Sequence, residues 1–187
     1  MSSAMEKRTM TLADLHEVTG KAELIAGRIV HEMPTGYRPN QIAGDIFVSL
    51  KLHVRTIGRG VALTDNMGFA IPELPSGRES FSPDAAYYDG PLPTNRMRFI
   101  AGPPTFAVEV RSEADHGPAA EREMASKRLD YFDAGTRVVW DVDPETEIVL
   151  AYRAGSPAEP VVFKRGELAD AEPAVPGWRM AVDDIFA

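Results

Sequence analysis

The sequence contains no cysteine among its 187 residues. This absence excludes disulfide bonds, thiolate zinc sites, iron–sulfur clusters and cysteine nucleophiles, so any bound metal ion must take oxygen or imidazole ligands. No run of 18 apolar residues is present, and the first ten residues, MSSAMEKRTM, lack the apolar core and cleavage site of a secretory signal. We therefore predict a cytoplasmic protein without a membrane segment.

Several catalytic motifs are also missing. The 4 histidines show no HExxH spacing, which argues against zinc-dependent hydrolysis. No GxSxG turn and no GxxxxGKS/T phosphate loop occurs, which argues against a nucleophilic serine and against P-loop nucleotide hydrolysis.

Positive charge is scarce as well. Lysine and arginine number 20 against 28 aspartates and glutamates, which gives a net charge of −8. Such a chain repels a phosphate backbone unless positive charge is concentrated locally or a cation intervenes. A basic coat for nucleic acid is therefore excluded. Residues 51–59 and 95–99 contain enough basic residues for local patches, although ordinary solvated surface charge is the commoner explanation of such stretches.

The composition is that of a globular protein, with 44% apolar and 26% charged residues. No internal repeat or low-complexity linker interrupts the chain. We predict one domain over residues 1–187, with its core at about 10–155 and further strands and a tail at 156–187.

Hydrophobic periodicity predicts a mixture of helices and strands. Apolar residues spaced by about four indicate helices at 38–57 and 119–134, and a short helix follows the capping pair Thr11 and Asp14. Strands are predicted from alternating or β-branched runs, at residues 23–25, 28–33, 61–63, 68–71, 84–88, 105–112, 137–143, 148–152 and 161–163. The expected fold is therefore α+β, with a mixed β-sheet flanked by helices.

Glu109 interrupts a strand that is otherwise apolar. The period of two in TFAVEVRS puts Glu109 and Arg111 on the face opposite the phenylalanine and valines. A carboxylate in the middle of a covered strand must be neutralised, hydrogen-bonded or bound to a cation. An ion pair with Arg111 is the purely structural explanation, and it stays open at this point.

Asp84 follows Pro83 at the start of the strand DAAYY, where aspartate is also a common turn residue. Two neighbouring strands would bring Asp84 and Glu109 to the same pole of the sheet. Paired carboxylates are the hard oxygen ligands that Mg²⁺ prefers. The pair, more than either residue alone, indicates a magnesium site.

The order of four segments is similar to that of a known family. The segments ELIAGRIV, SPDAAYY, FAVEVRSEAD and KRLDYFDAGTRVVWDVDPET lie within roughly residues 10–155. Together they resemble a large family of bacterial proteins classed as putative restriction endonucleases, which in turn resembles the PD-(D/E)XK nuclease superfamily. The resemblance implies a restriction-endonuclease-like fold, in which helices flank a mixed sheet of four strands.

The resemblance also implies roles for five residues. Asp84 and Glu109 match the two acidic metal ligands, and Glu23 matches an early acidic residue that often completes such sites. The superfamily's lysine, two residues after the glutamate, is replaced by Arg111, which departs from the motif. Lys127 on the following helix matches the position where the family places its lysine.

On this resemblance, the chain is an endonuclease that hydrolyses phosphodiester bonds of DNA with Mg²⁺ or Mn²⁺. Asp84 and Glu109 would position the ion, while Lys127 would orient the attacking water or stabilise the developing charge. Arg111 stays protonated and would clamp the scissile phosphate or neutralise Glu109. Lys127 is equally explained as a surface lysine paired with Glu123. A homodimer is expected, because duplex cleavage needs two cuts.

Two other functions stay open. A non-catalytic binding protein would keep the fold while Arg111 occupies Glu109 and no cation binds. An enzyme acting on a small phosphoester or nucleotide would tolerate the acidic surface better than one acting on long duplex DNA. Cleavage of a model phosphodiester but not of DNA would favour the small substrate.

Overall fold

The computed structural model describes residues 9–187. Its helices are α1 (Leu12–Leu15), α2 (Tyr37–Ile57), α3 (Pro118–Ala134) and α4 (Val182–Ile185). Its strands are β1 (Ala22–Ile25), β2 (Arg28–His31), β3 (Val61–Thr64), β4 (Phe69–Ala70), β5 (Ser80–Phe81), β6 (Ala85–Tyr88), β7 (Ile100–Ala101), β8 (Phe106–Val110), β9 (Val138–Asp143), β10 (Ile148–Arg153), β11 (Ser156–Phe163), β12 (Leu168–Asp170) and β13 (Arg179–Ala181). The predicted lack of a secretory signal concerns residues 1–10, most of which lie outside the described residues. The sequence analysis also predicted that the chain has no membrane segment. Within residues 9–187, no helix is long and apolar enough to cross a membrane.

Six strands form one mixed sheet in the order β11, β10, β9, β8, β6, β3. β8 and β9 run parallel, whereas the other neighbours in this sheet are antiparallel. α3 lies between β8 and β9 in the chain and makes the crossover that a parallel pair requires. The smaller sheets are the pairs β1–β2 and β12–β13 and the three-stranded set β5, β4, β7. The prediction of a mixed sheet flanked by helices is confirmed.

Both faces of the main sheet are covered. On one face, α2 packs Ile42, Ile46 and Leu50 against the apolar side of the central strands, and all three are fully buried. Their spacing of four places them on a single stripe of the helix. The other face packs against α3 and the three-stranded sheet, where Phe69 and Tyr131 are fully buried. β8 is therefore covered on both sides, and a polar side chain on it needs a partner.

α3 turns polar residues toward the sheet. Pro118 is the first residue of this helix, where a backbone N–H would have no partner within the helix, so its absence in proline costs nothing. Gly135 ends the helix with a φ of 111°, in the region that favours glycine. The buried residues of α3 are Arg128, Asp130 and Tyr131. Because two of these three are charged, ion pairs must hold this helix in place.

The predicted helices and central strands are confirmed, with small shifts at their ends. The capping pair is also present, because Thr11 and Asp14 each accept a hydrogen bond from the other's backbone N–H. Strands β5 and β7, the pair β12–β13 and the short helix α4 were not predicted, and β11 begins several residues before the predicted strand. Strands of two or three residues are too short to show a period, so only their pairing defines them.

Candidate metal and catalytic site

Four acidic side chains lie side by side across neighbouring strands of the main sheet. Glu109 on β8 stands beside Asp141 on β9 in the parallel pairing. The pairings of β8 with β6 and of β6 with β3, continued by one residue, place Asp84 beside Glu109 and Asp65 beside Asp84. Residues in register share a face of a sheet. One row of carboxylates therefore faces α3 and the β1–β2 pair.

Asp84 is held by the backbone as well as by a charged partner. Its amide nitrogen donates to the carbonyl oxygen of Val108 at 3.0 Å, and its Oδ2 accepts from the amide of Val110 at 2.8 Å. Its Oδ1 accepts from Nζ of Lys21 at 2.7 Å. One carboxylate oxygen is thus bound to the main chain, and the other points to charged groups.

Glu109 lies in the middle of the row. Its Oε1 accepts a hydrogen bond from the Tyr131 hydroxyl at 2.6 Å, and its Oε2 pairs with Nζ of Lys127 at 3.0 Å. Burial raises the pKa of Glu109, and the neighbouring charge of Asp84 adds to this, so the pKa reaches about 7 despite Lys127. An additional cation nearby would favour the charged form of this carboxyl group.

Lys127 projects from α3 into the same place. Its Nζ lies 3.0 Å from Oε2 of Glu109 and 3.3 Å from Oε1 of Glu23, and its side chain is only 18% exposed. Burial alone lowers the pKa of Lys127, but neighbouring carboxylates, Glu109 first, outweigh it and raise the pKa above its ordinary value. Lys127 therefore stays an ammonium ion. Its partners are these carboxylates and not Glu123, because the lysine side chain points inward.

Glu23 is buried beneath Lys127. Its Oε1 accepts from the amide of Ser82 at 2.9 Å, and its Oε2 pairs with Arg78. Arg78 in turn donates through Nε to Asp130 at 2.8 Å. Both oxygens of Glu23 thus have protein partners, which suits a residue that holds Lys127 in place. The predicted role of Glu23 as a metal ligand stays a prediction.

Lys21 is a site residue that the sequence analysis missed. Its Nζ lies 2.7 Å from Asp84, 2.9 Å from Asp65 and 3.0 Å from Glu32. Two signals were available: Lys21 and Glu23 alternate along the first hairpin strand, and the hairpin register continues to set Lys21 opposite Glu32. Neither signal says that the hairpin lies against the acidic row, which depends on tertiary packing.

Arg111 is bound at the other end of the row. Its Nε and Nη2 donate to the two oxygens of Asp141 at 2.7 and 2.9 Å, and its guanidinium also pairs with Glu121. Arg128 adds a third contact to Asp141 at 3.0 Å. The partner that neutralises Glu109 is therefore Lys127, which corrects the alternative that assigned this task to Arg111. The reason is geometric, since the planar arginine fork matches the Asp141 carboxylate. A phosphate-binding role for Arg111 stays a prediction.

Two ion-pair networks of the described residues differ in charge balance. One contains two cations and two anions, namely Arg111, Arg128, Asp141 and Glu121. The other joins three cations to six carboxylates, namely Lys21, Lys127 and Arg78 with Glu23, Glu32, Asp65, Asp84, Glu109 and Asp130. A balanced network suffices to hold elements together, whereas an excess of partly buried negative charge favours the binding of a cation.

The side chains around Asp84 and Glu109 suit a hard divalent cation. Mg²⁺ typically keeps several waters and binds to one or two carboxylates. Among the described residues, no three histidine, aspartate or glutamate side chains form a ready-made metal-binding group. The fit therefore rests on Asp84, Glu109 and water, and a bound cation would offset the excess of negative charge.

These side chains line one cleft of about 1090 Å³. The cleft lining includes all five residues predicted from the sequence, namely Glu23, Asp84, Glu109, Arg111 and Lys127. Met33 and Tyr37 also line it, and their side chains are 86% and 83% exposed. The cleft thus combines an ionic floor with an exposed apolar rim.

Comparison with solved structures gives the same architecture. A crystal structure from Anabaena variabilis, described as a putative nuclease belonging to DUF820, matches with a TM-score of 0.74. The two chains are 20% identical, and the match covers 95% of this chain and 97% of the other. At this identity the likeness shows the fold, and the predicted restriction-endonuclease-like fold is confirmed.

Comparison of the sequence with curated proteins finds no match. The model of the Uma2 family, described as "Putative restriction endonuclease", matches residues 11–183. This range includes all the strands and nearly all the helical residues, as well as every residue of the acidic row. The chain therefore belongs to the Uma2 family.

Proposed function

We propose that the protein is a metal-dependent nuclease that hydrolyses phosphodiester bonds of DNA. The observation that carries this proposal is the meeting of Asp84, Glu109 and Lys127 in one cleft with an excess of negative charge. Membership of a family described as "Putative restriction endonuclease" supports the same chemistry. When bound, a divalent cation would polarise the phosphoryl group and make water a better nucleophile.

Each side chain of the site has a separate task in this proposal. Asp84 and Glu109 hold the cation, since they are neighbouring acids on the central strands. Lys127 stays protonated and donates to a phosphate oxygen whose negative charge grows in the transition state. Tyr131 fixes the direction of the Glu109 carboxylate through its hydroxyl. Glu23 anchors Lys127 from below.

The direct test is cleavage of supercoiled plasmid and of single-stranded DNA with Mg²⁺ or Mn²⁺. We expect cleavage that requires the cation and stops when a chelator is added. A folded protein that cleaves neither substrate in the presence of both cations would contradict the proposal. The homodimer expected for duplex cleavage stays a prediction, which sedimentation of the same samples tests.

Replacing Lys127 with methionine tests the role of the ammonium group. We expect kcat to fall roughly 100-fold, because one donor to the developing charge is lost. Cation binding should persist, since Asp84 and Glu109 are still present. Single-turnover cleavage and Mn²⁺ titration measure the two effects separately.

The matched control is Lys164→Met, because Lys164 is an exposed lysine that does not line the cleft and lies outside the basic stretches 51–59 and 95–99. Its cleavage rate should equal that of the wild type. Normal cleavage by Lys127→Met would remove Lys127 from the mechanism while leaving the metal ligands untouched.

The rim of the cleft favours unpaired nucleotides as the bound part of the substrate. Tyr37 is the first residue of α2, and its exposed ring is available for stacking on a base. Such stacking contributes about 1–3 kcal/mol per base. We expect Tyr37→Ala to weaken the binding of a labelled single-stranded oligonucleotide about 10-fold in fluorescence anisotropy.

Two controls separate stacking from a general surface effect. Tyr37→Phe keeps the ring and should bind like the wild type. Met97→Ala removes a side chain that is 89% exposed but does not line the cleft, and it should also leave binding unchanged. Equal affinities of Tyr37→Ala and the wild type would contradict stacking at this position.

A second candidate function is hydrolysis of a small phosphoester or nucleotide. More acidic than basic side chains line the cleft, and this balance disfavours the many phosphates of a long duplex. Cation-dependent cleavage of bis(4-nitrophenyl) phosphate, without cleavage of either DNA substrate, would select this function. The non-catalytic alternative required Arg111 to occupy Glu109, and the contacts of Arg111 with Asp141 and Glu121 remove that argument for it.

A further inference from the structure

Asp84 offers one oxygen to the cleft, and Lys21 occupies it. Oδ2 of Asp84 accepts the Val110 amide at 2.8 Å, whereas Oδ1 accepts from Nζ of Lys21 at 2.7 Å. Oδ1 is therefore the oxygen through which Asp84 would bind a cation without giving up a backbone hydrogen bond. The ammonium group of Lys21 is already bound to that oxygen.

We propose that Lys21 is a positioning residue that competes with the divalent cation for Asp84 and thereby sets the cation affinity of the cleft. This inference rests on the proposed function, because it takes Asp84 as a metal ligand. Without a cation, the ammonium group neutralises Asp84 and keeps its carboxylate oriented. When a cation binds to Oδ1, the ammonium group withdraws to its other partners.

Two further carboxylates are in place to receive the displaced ammonium group. Nζ of Lys21 already lies 3.0 Å from Oε2 of Glu32 and 2.9 Å from Oδ1 of Asp65. These side chains are 29% and 37% exposed, against 19% for Asp84. The ammonium group would thus stay paired after displacement, and it would gain hydration. Competition of this kind lowers the affinity for a cation without abolishing binding.

The charge of the network supports an exchange of this kind. Lys21 belongs to the network in which six carboxylates face three cations. A divalent ion brings one more positive charge to Asp84 than the ammonium group does. The ammonium group meanwhile stays within the same acidic cluster. Binding of the divalent cation therefore neutralises more of the excess negative charge of this cluster than its three cationic side chains do alone.

The test measures cation affinity and does not depend on cleavage. Lys21→Met and Lys21→Gln are titrated with Mn²⁺, and free Mn²⁺ is followed by electron paramagnetic resonance. We expect both variants to bind Mn²⁺ about 10-fold more tightly than the wild type, because the competing charge at Asp84 is gone. Circular dichroism and thermal unfolding check that each variant is folded, and two different replacements guard against the failure of either one.

Arg38→Met is the matched control. Arg38 lines the same cleft but pairs with Glu147 rather than with a carboxylate of the acidic row. A general change in the electrostatic field would strengthen binding in Arg38→Met as much as in the Lys21 variants. Competition at Asp84 predicts a change of less than about 2-fold for this control, since it removes a charge without freeing Oδ1.

The outcomes separate this inference from the proposed function. If the wild type binds Mn²⁺ and the Lys21 variants bind it equally or more weakly, Lys21 is not a competitor and the proposed metal site stands. An equal gain in Arg38→Met would also overturn the inference. Absence of binding in the wild type and in both Lys21 variants would overturn the inference and the metal site together. Binding that is too weak to measure in the wild type but measurable in the Lys21 variants would support the inference, because the competing ammonium group lowers the affinity for the cation.

Discussion

We expect the Asp84→Asn variant to lose cation-dependent cleavage by at least about 100-fold, since a bound metal contributes several kcal/mol to the transition state. The amide keeps an oxygen that can accept the backbone hydrogen bond from Val110, so the local structure should persist. It removes the negative charge that would hold the cation beside Glu109. Single-turnover cleavage of plasmid and single-stranded DNA, together with Mn²⁺ titration, measures both consequences.

Asp170→Asn is a suitable control for this experiment. Asp170 pairs with Arg153 at 3.0 Å and does not line the cleft. The control should cleave at the wild-type rate and bind Mn²⁺ with wild-type affinity. If Asp84→Asn also kept both properties, Asp84 would be a structural carboxylate that orients Lys21 and the Val110 backbone, and the proposed site would lose its first ligand.

The largest effect on stability is expected from Asp141→Ala. Asp141 is 1% exposed and accepts hydrogen bonds from Arg111 and Arg128. Its removal leaves two largely buried guanidinium groups without their shared partner, which costs about 3–5 kcal/mol in the free energy of unfolding. The expected fall in Tm is about 10 °C for a chain of this length. Urea and thermal unfolding provide the measurement.

Glu121→Ala tests whether burial is the reason for the large loss of stability expected in Asp141→Ala. Glu121 pairs with the same Arg111, but its side chain is 49% exposed. Its loss should cost about 1 kcal/mol or less, since solvent screens such pairs. Similar losses for Asp141→Ala and Glu121→Ala would contradict the assignment of Asp141 as the buried centre of this network. The same unfolding curves test the prediction of one domain, which requires a single cooperative transition.

Local patterns and a family resemblance together pointed to the residues of the proposed site. Glu109 was identifiable because a carboxylate interrupts an otherwise apolar strand, and such a residue needs a partner. Asp84 and Lys127 became candidate site residues because the order of the sequence segments around them resembles that of a nuclease family. These three residues do line one cleft, although their chemical roles stay proposals until the variants are measured.

Other features of the site could not be read from the same patterns. Lys21 precedes a short hairpin, and nothing local indicates that its ammonium group reaches Asp84. Arg78 lies in a loop rich in proline and glycine, where a buried ion pair with Glu23 has no periodic signal. Arg111 shares a strand face with Glu109, yet it pairs with Asp141 on the next strand. Sequence spacing gives the face of a strand and not the neighbour across it.

By itself, the sequence determined the type of each main element and which residues of β8 share a face, because helix and strand periods are local properties of the chain. It also limited the chemistry to oxygen and imidazole ligands through the absence of cysteine. Only the tertiary structure decided that four neighbouring strands bring their carboxylates into one row. It also decided which cationic side chain pairs with each carboxylate. Those pairings join residues far apart in the chain, so they depend on how the sheet, α3 and the first hairpin pack together.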